Sequence, residues 1–532
     1  MDAFRKSLSH LFFAHPRWCA LGLGAIAACG FQPLGLWPLT MLAVAGLIEL
    51  TARAESRKQA ALIGWLFGLS HFTIGDNWIA LAFTYQTNMP QWLGGVAVVL
   101  LSLYLAVYPM LATLGAWLLT RAAGDCRRTL LLAFAGCWIV TEWMRGWVFT
   151  GFAWNPLAMA ALGPFDRPGL AAVVPWLGTY GLSGLVVLLA GCWLLALIRL
   201  PRIDSVFALF LITPAALLQL PALSGKPEDG RLAFTLVQPD IRQEVLDDPT
   251  LYETHFVKTA RLSQPRHPEL RRIVLWPESG VPDYLRDGYP SYLYRQMTYA
   301  SDPVLARERI GRVIGPQGLL LTGAVDLVME DGQITAARNV ITAIDGKGAI
   351  RAGYAKAHLV PYGEYLPMRW LLEPLGASRL VAGALDFWPG PGPRSYDFGP
   401  WGKAGMQICY EIVFSGEVVD RGDRPDYIFN PSNDGWFGSW GPPQHVAQAR
   451  MRAIEEGLPV LRATTTGISA VIDANGIVRQ HIGRRQPGRM DGVIPPAHAP
   501  TLFARMGNVL PLCWAGLLIL IASVLAIRRR RG

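Results

Sequence analysis

Apolar residues run in long unbroken stretches over roughly the first 220 positions, disperse into short alternating patterns, and return in one last run near the C-terminus. The long runs fall at 18–31, 37–50, 60–74, 92–119, 130–149, 177–198, 206–220 and 509–527. A helix needs about 20 apolar residues to cross the hydrocarbon core of a bilayer, so these runs predict eight transmembrane helices. The first two are short and meet at Gln32-Pro33. Repetition on this scale excludes a lone cleaved signal peptide. Between the seventh and eighth runs, short apolar and alternating stretches predict strands at 232–237, 273–276, 319–324, 340–344, 404–409, 427–430 and 460–464. Positions 442–456 read as a helix with proline in its first turn. The expected organisation is a membrane domain over 1–223, a globular α/β domain over 224–506, and a returning helix with a basic tail over 507–532.

Composition agrees with a chain partly dissolved in lipid. Charged residues make up 16% and apolar residues 52% of 532 positions, against about 25% charged in soluble proteins. The net charge of +9 sits mainly in the tail Arg528–Arg531 and in clusters flanking apolar runs. No basic stripe interleaved with aromatics is present, which argues against nucleic-acid binding. Arg5, Lys6 and Arg17 precede the first run; Arg53, Arg57 and Lys58 follow the second. Arg121, Arg127 and Arg128 follow the fourth, Arg199 and Arg202 the sixth, while 76–91 holds no Lys or Arg. Basic loops face the cytoplasm, so both termini are expected inside and the globular domain outside. Arg145 and Arg167 run against that pattern. Of the seven cysteines, Cys409 is the only one in the globular segment. Without a partner there for a disulfide, its thiol is either a buried small hydrophobe or a nucleophile.

Three segments favour the nucleophile. In Arg272-Ile-Val-Leu-Trp-Pro-Glu278 a short strand pattern ends on a carboxylate, the place where α/β layers carry functional groups. Lys356 and Glu364 lie in a Pro- and Gly-bounded aromatic stretch that suits a fixed loop, from which a lysine can hold a developing oxyanion. In Gly405-Met-Gln-Ile-Cys409-Tyr-Glu411 a strand delivers the thiol to a turn, and a helix is expected from Glu411 through Asp420. Amides at that helix start, with Lys356, would favour the thiolate. The chemistry that follows is base, nucleophile and oxyanion holder: Glu278 takes a proton, Cys409 attacks, Lys356 steadies the charge. Asp434 and Trp436 follow a strand end and are expected to line the site, although Asn-Asp-Gly is also an ordinary turn signal. Glu142 and Arg145, three apart, are placed to pair on one helix face.

These segments, in this order, resemble the Glu-Lys-Cys triad of the nitrilase superfamily, the carbon–nitrogen hydrolases. The chain is most similar to the membrane-bound branch, the apolipoprotein N-acyltransferases. The likeness is carried by Trp276-Pro-Glu278, Pro361-Tyr-Gly-Glu364-Tyr-Leu-Pro367, Ile408-Cys409-Tyr410-Glu411, Asn433-Asp-Gly-Trp436 and Gln444-His445, and also by Glu142-Trp-Met-Arg145. Where relatives often carry Lys-Trp after Gln238-Pro-Asp-Ile-Arg-Gln243, this chain reads Glu244-Val. The resemblance implies an α-β-β-α sandwich inserted before the last membrane helix. It implies Glu364 as a supporting carboxylate, and Tyr410 and Glu411 as walls of the pocket behind the nucleophile. It further implies transfer of an acyl chain from a membrane phospholipid, through a thioester on Cys409, to the α-amine of a diacylglyceryl-cysteine on an apolipoprotein. The setting would be a Gram-negative inner membrane with the catalytic domain in the periplasm. No cofactor or metal is implied, and no zinc-type spacing, P-loop or dinucleotide fingerprint occurs in the sequence. The alternatives are an anchored amidase that hydrolyses the same thioester, or a transporter with an inert external domain. Nearly charge-free spans count against transport.

Overall fold

A computed structural model of the chain describes residues 14–85, 90–121, 127–199, 230–372, 374 and 385–531. They form two compact units: Met1–Ala80, Gln91–Leu223 and Thr501–Gly532 make the first, Leu81–Pro90 and Ser224–Pro500 the second.

The first unit is helical, and each apolar run that is described becomes a helix. Pro16–Ala28, Trp37–Ala52, Arg57–Gly75, Trp92–Leu105, Val107–Thr120, Arg127–Arg145, Val174–Arg199 and Val509–Arg531 follow in chain order. Among the described residues, three stretches are long and apolar enough to cross a membrane: Trp92–Thr120, Leu170–Leu194 and Val509–Arg528. The others are shorter or more polar, so the structure supports fewer spans than the eight expected, and the run at 206–220 lies outside the described residues. Glu142 and Arg145 interact through their charges, and each also bonds elsewhere. Glu142 accepts from the Leu157 amide (2.7 Å) and the Trp138 indole (3.3 Å), and Arg145 donates to the Trp154 carbonyl at 2.8 Å. Both side chains are buried and pin the irregular segment that follows their helix.

The second unit holds twelve strands: β1 Ala233–Gln238, β2 Arg272–Leu275, β3 Gly318–Glu330, β4 Gln333–Asp345, β5 Ile350–Ala355, β6 Ser395–Asp397, β7 Lys403–Met406, β8 Tyr427–Ser432, β9 Val460–Thr464, β10 Ser469–Ile472, β11 Val478–Ile482 and β12 Gly488–Val493. One sheet runs β12-β1-β2-β3-β4-β5, the other β11-β10-β9-β8-β7-β6. Each sheet has a parallel centre, β1-β2-β3 and β7-β8-β9, with antiparallel flanks. Side chains alternate between two cores because strand residues point to opposite faces. Leu236, Leu275, Leu321 and Ile341 of the first sheet join Met406, Phe429 and Leu461 of the second in one core. Val274, Leu320 and Ile344 point the other way, onto Phe256 and Ile310 of helices Tyr252–Ser263 and Pro303–Ile314. Helix Gly441–Glu456 packs on β9 and β10, giving the α-β-β-α layering.

Two local expectations change. The strand expected at 404–409 ends at Met406, and the helix expected from Glu411 through Asp420 is a single 3-10 turn, Cys409–Val413. Every residue of that turn is buried, so the chain doubles back inside the unit instead of opening a long helix.

Candidate active site

Three strand ends supply the triad. β2 stops at Leu275, and the next turn is pressed against β3 by bonds from Gly280 N to Gly323 O and from Gly323 N to Pro277 O. A Cβ on Gly323 would lie 2.6 Å from the Glu278 Cα, so only glycine lets the Glu278 turn sit this low. β5 delivers Lys356, whose amide bonds the Asn339 carbonyl of β4 at 2.9 Å. β7 delivers Cys409 at φ +50, a left-handed conformation that costs a non-glycine residue about 1–2 kcal/mol.

Glu278, Lys356, Glu364 and Cys409 are all buried. The Lys356 ammonium lies 2.9 Å from Glu364 and 3.7 Å from Glu278, with charge interactions reaching Cys409. Burial works against its charge, but Glu364 and Glu278 outweigh that and hold it protonated well above the usual lysine range. The Cys409 thiol goes the other way. Burial first, then the Glu278 carboxylate, push its pKa well above the ordinary value; Lys356 pulls it back only in part. The expectation that helix amides would yield a resting thiolate is therefore corrected: the long helix is absent, and the thiol rests neutral. A neutral thiol needs a base beside it, and Glu278 is the carboxylate whose field it feels most.

Glu278 is aimed from both sides. Its Oε1 accepts from the Asn339 side-chain amide (2.7 Å) and its Oε2 from the Asn433 backbone amide (2.7 Å). Asn339 also donates to Glu364 at 3.0 Å, so one amide spaces the two carboxylates around the ammonium. Glu364 is further fixed by the Val360 amide at 2.8 Å. Asn339 carried no motif in the sequence: it follows Arg338 in a strand of mixed polarity and nothing there singled it out.

Glu411 ties the nucleophile turn to the lysine loop. Its Oε1 accepts from the Tyr354 hydroxyl and the Ala357 and His358 amides, and its Oε2 from the Ile408 amide. Burial pushes its pKa up to about 7 against the pull of those donors. Tyr410 is buried edge-on against Phe414 at 5.1 Å. Asp434 is buried and bonded to Arg462 and His445. Trp436 meets Tyr85 edge to face at 5.3 Å, and the Tyr85 hydroxyl donates to Gly435 O. Among the described residues, no cluster of His, Cys, Asp and Glu is arranged to hold a metal.

A carboxylate, a lysine and a thiol gathered from strand ends of a two-sheet α-β-β-α sandwich define a carbon–nitrogen hydrolase fold, and the Carbon-nitrogen hydrolase family model matches residues 269–494. The helical part matches the Apolipoprotein N-acyltransferase N-terminal domain over 23–192. The chain is 32% identical to the apolipoprotein N-acyltransferase of Bradyrhizobium diazoefficiens, covering 96% of this chain and 94% of that protein. It is 32% identical to that of Rhodopseudomonas palustris (96% and 95%) and 31% identical to that of Shewanella oneidensis (94% and 94%). The chain belongs to the apolipoprotein N-acyltransferase family.

Proposed function

We propose that this protein is a phospholipid:apolipoprotein N-acyltransferase working through a thioester on Cys409. The observation that carries the reading is the buried Lys356 set between Glu278 and Glu364 in charge contact with the Cys409 thiol. Glu278 takes the thiol proton as sulfur attacks the ester carbonyl of a phospholipid. The carbonyl oxygen gathers negative charge against the Lys356 ammonium. The C–O bond to glycerol breaks, the departing alkoxide takes the proton from Glu278, and a lysophospholipid leaves. The α-amine of a diacylglyceryl-cysteine then attacks the thioester, gives a proton to Glu278, and departs as the amide while Cys409 recovers its proton. Water would complete the same cycle as an amidase, so the transfer reading relies on family membership and on an apolar helical unit much larger than an anchor.

Eight crossings, a membrane domain over 1–223, a periplasmic catalytic domain over 224–506 and a C-terminal helix over 507–532, with both termini in the cytoplasm of a Gram-negative inner membrane, complete the proposal. The alternation of basic loops supports it. The test is covalent. Exposed to acyl-labelled phospholipid without acceptor, the protein should hold hydroxylamine-sensitive label, and Cys409→Ala should hold none. Label on Cys409→Ala, or lipoprotein acylation by it, would end the reading.

A further inference from the structure

Behind the nucleophile lies a charged group that the acyl-transfer steps do not use. His445, on helix Gly441–Glu456, is fully buried, with Nε2 3.1 Å from the backbone carbonyl oxygen of Cys409. Its Nδ1 is 3.0 Å from Asp434 and 3.0 Å from the Arg462 guanidinium, and Arg462 donates to both Asp434 oxygens at 2.7 Å. A carbonyl oxygen only accepts, so Nε2 must carry a proton. Burial, then the Arg462 charge, disfavour the imidazolium. The ring is then neutral, with Nε2–H donating to Cys409 O and Nδ1 accepting from Arg462. The Arg462 N–H, held in place by the Asp434 carboxylate, fixes that tautomer from behind, much as outer partners fix a ligating or catalytic imidazole.

The carbonyl so held belongs to a strained residue. Cys409 sits at φ +50, which persists only where the surroundings over-determine it. The same carbonyl also accepts a long bond from the Asn430 side-chain amide, at 3.4 Å. We propose that His445 is a positioning residue: its Nε2–H, set by Asp434 and Arg462, holds the Cys409 peptide in the left-handed conformation that aims the thiol between Glu278 and Lys356. The imidazole acts through the backbone of the nucleophile.

Glutamine and asparagine separate this role from simple filling of a polar hole. A glutamine amide reaches the place of Nε2 and can still donate to Cys409 O, whereas an asparagine amide reaches only the place of Nδ1 and keeps the Asp434 and Arg462 contacts instead. His445→Gln should form acyl-enzyme in single turnover within ~10-fold of wild type. His445→Asn should be slower by ~10²-fold, the scale of an ångström-sized misplacement, with the lipid concentration giving half-maximal rate unchanged in both. Equal rates for the two variants, or a wild-type rate for His445→Asn, would overturn the proposal. The inference rests on Cys409 as acyl carrier, so a second measurement is made without chemistry, on the unmutated protein. Labelled with ¹⁵N-histidine and ¹³C-carbonyl cysteine, it should show a protonated Nε2 in contact with the Cys409 carbonyl. A proton on Nδ1 alone would refute the positioning role even if the thioester stands. Absence of the thioester alongside the expected tautomer would instead condemn the acyl-transfer reading.

Discussion

Removing the Lys356 charge should injure the protein twice, and the two injuries can be pulled apart. In Lys356→Met a side chain of similar length leaves Glu278 and Glu364 facing a buried site with no cation between them. Breaking a buried ion pair on one side costs about 3–5 kcal/mol. At about 2–4 °C per kcal/mol for a domain of this size, the catalytic unit should melt roughly 6–20 °C lower. Loss of the oxyanion contact should separately slow acyl-enzyme formation by ~10²–10³-fold. Adding Glu364→Gln removes the carboxylate bonded most closely to the ammonium, at 2.9 Å, and leaves Glu278 in place with its Asn339 and Asn433 donors. The double variant should therefore recover most of the stability, with a coupling of about 2 kcal/mol or more, yet none of the rate. Thermal unfolding in detergent and single-turnover labelling from acyl-labelled phospholipid read the two quantities on one preparation. Recovery of activity along with stability would mean that Lys356 serves only to neutralise its neighbours, and the oxyanion argument would fall.

Glu278→Gln should slow acylation by ~10²–10⁴-fold. The same change removes an anion that raises the Cys409 pKa, so the pH profile for alkylation of the thiol by iodoacetamide should move down, while Lys356→Met should move it up; a profile indifferent to both would refute the electrostatic account. Glu411→Ala leaves four donors without an acceptor, at about 1–3 kcal/mol for each that stays dry; its unfolding temperature should fall further than that of Tyr354→Phe, which removes one donor, and equal melting would refute the tie. Trp370, 78% exposed on the short helix Arg369–Leu372, follows the Glu364 segment, where an interfacial aromatic suits a lipid surface. Trp370→Ser should weaken acylation from vesicles more than from dispersed short-chain lipid, and equal loss on both would count against contact with the bilayer.

Glu278 and Cys409 were legible because each follows a run read as a strand and lies in a short, distinctive string. Lys356 was read from its Pro- and Gly-bounded loop, and the strand Ile350–Ala355 that delivers it was not expected. The layering came from the resemblance: 273–276 is apolar throughout, so the sequence does not show that Leu275 and Val274 point into different cores. Local backbone geometry was less visible. Nothing in Cys409-Tyr-Glu-Ile-Val reveals that the chain makes one buried turn rather than a helix, because apolar residues at these positions satisfy both. The apolar stretch 385–388 divides its behaviour: Leu385 and Phe387 pack beside Leu293 and Leu327, while Trp388 stays 38% exposed. Asn339, His445 and Arg462 escaped for a deeper reason. Their partners lie 25 and 61, 11 to 36, and 17 to 32 residues away, and a buried polar side chain declares its role only through contacts that folding creates.

Glu278 and Lys356 follow strands of one sheet and Cys409 a strand of the other, so the three side chains meet across the seam between two layers. Such a seam makes catalysis a gauge of how the layers sit. A slip too small to melt either sheet would still move sulfur away from its base, since interiors transmit displacement rather than absorb it. Heating should therefore silence the enzyme before it unfolds it. Substitutions in the shared core, such as Met406→Ala or Leu461→Ala, should lower activity out of proportion to their loss of stability, though neither residue approaches substrate. Selection on the rate would then reach deep into a region that looks, residue by residue, like nothing more than packing.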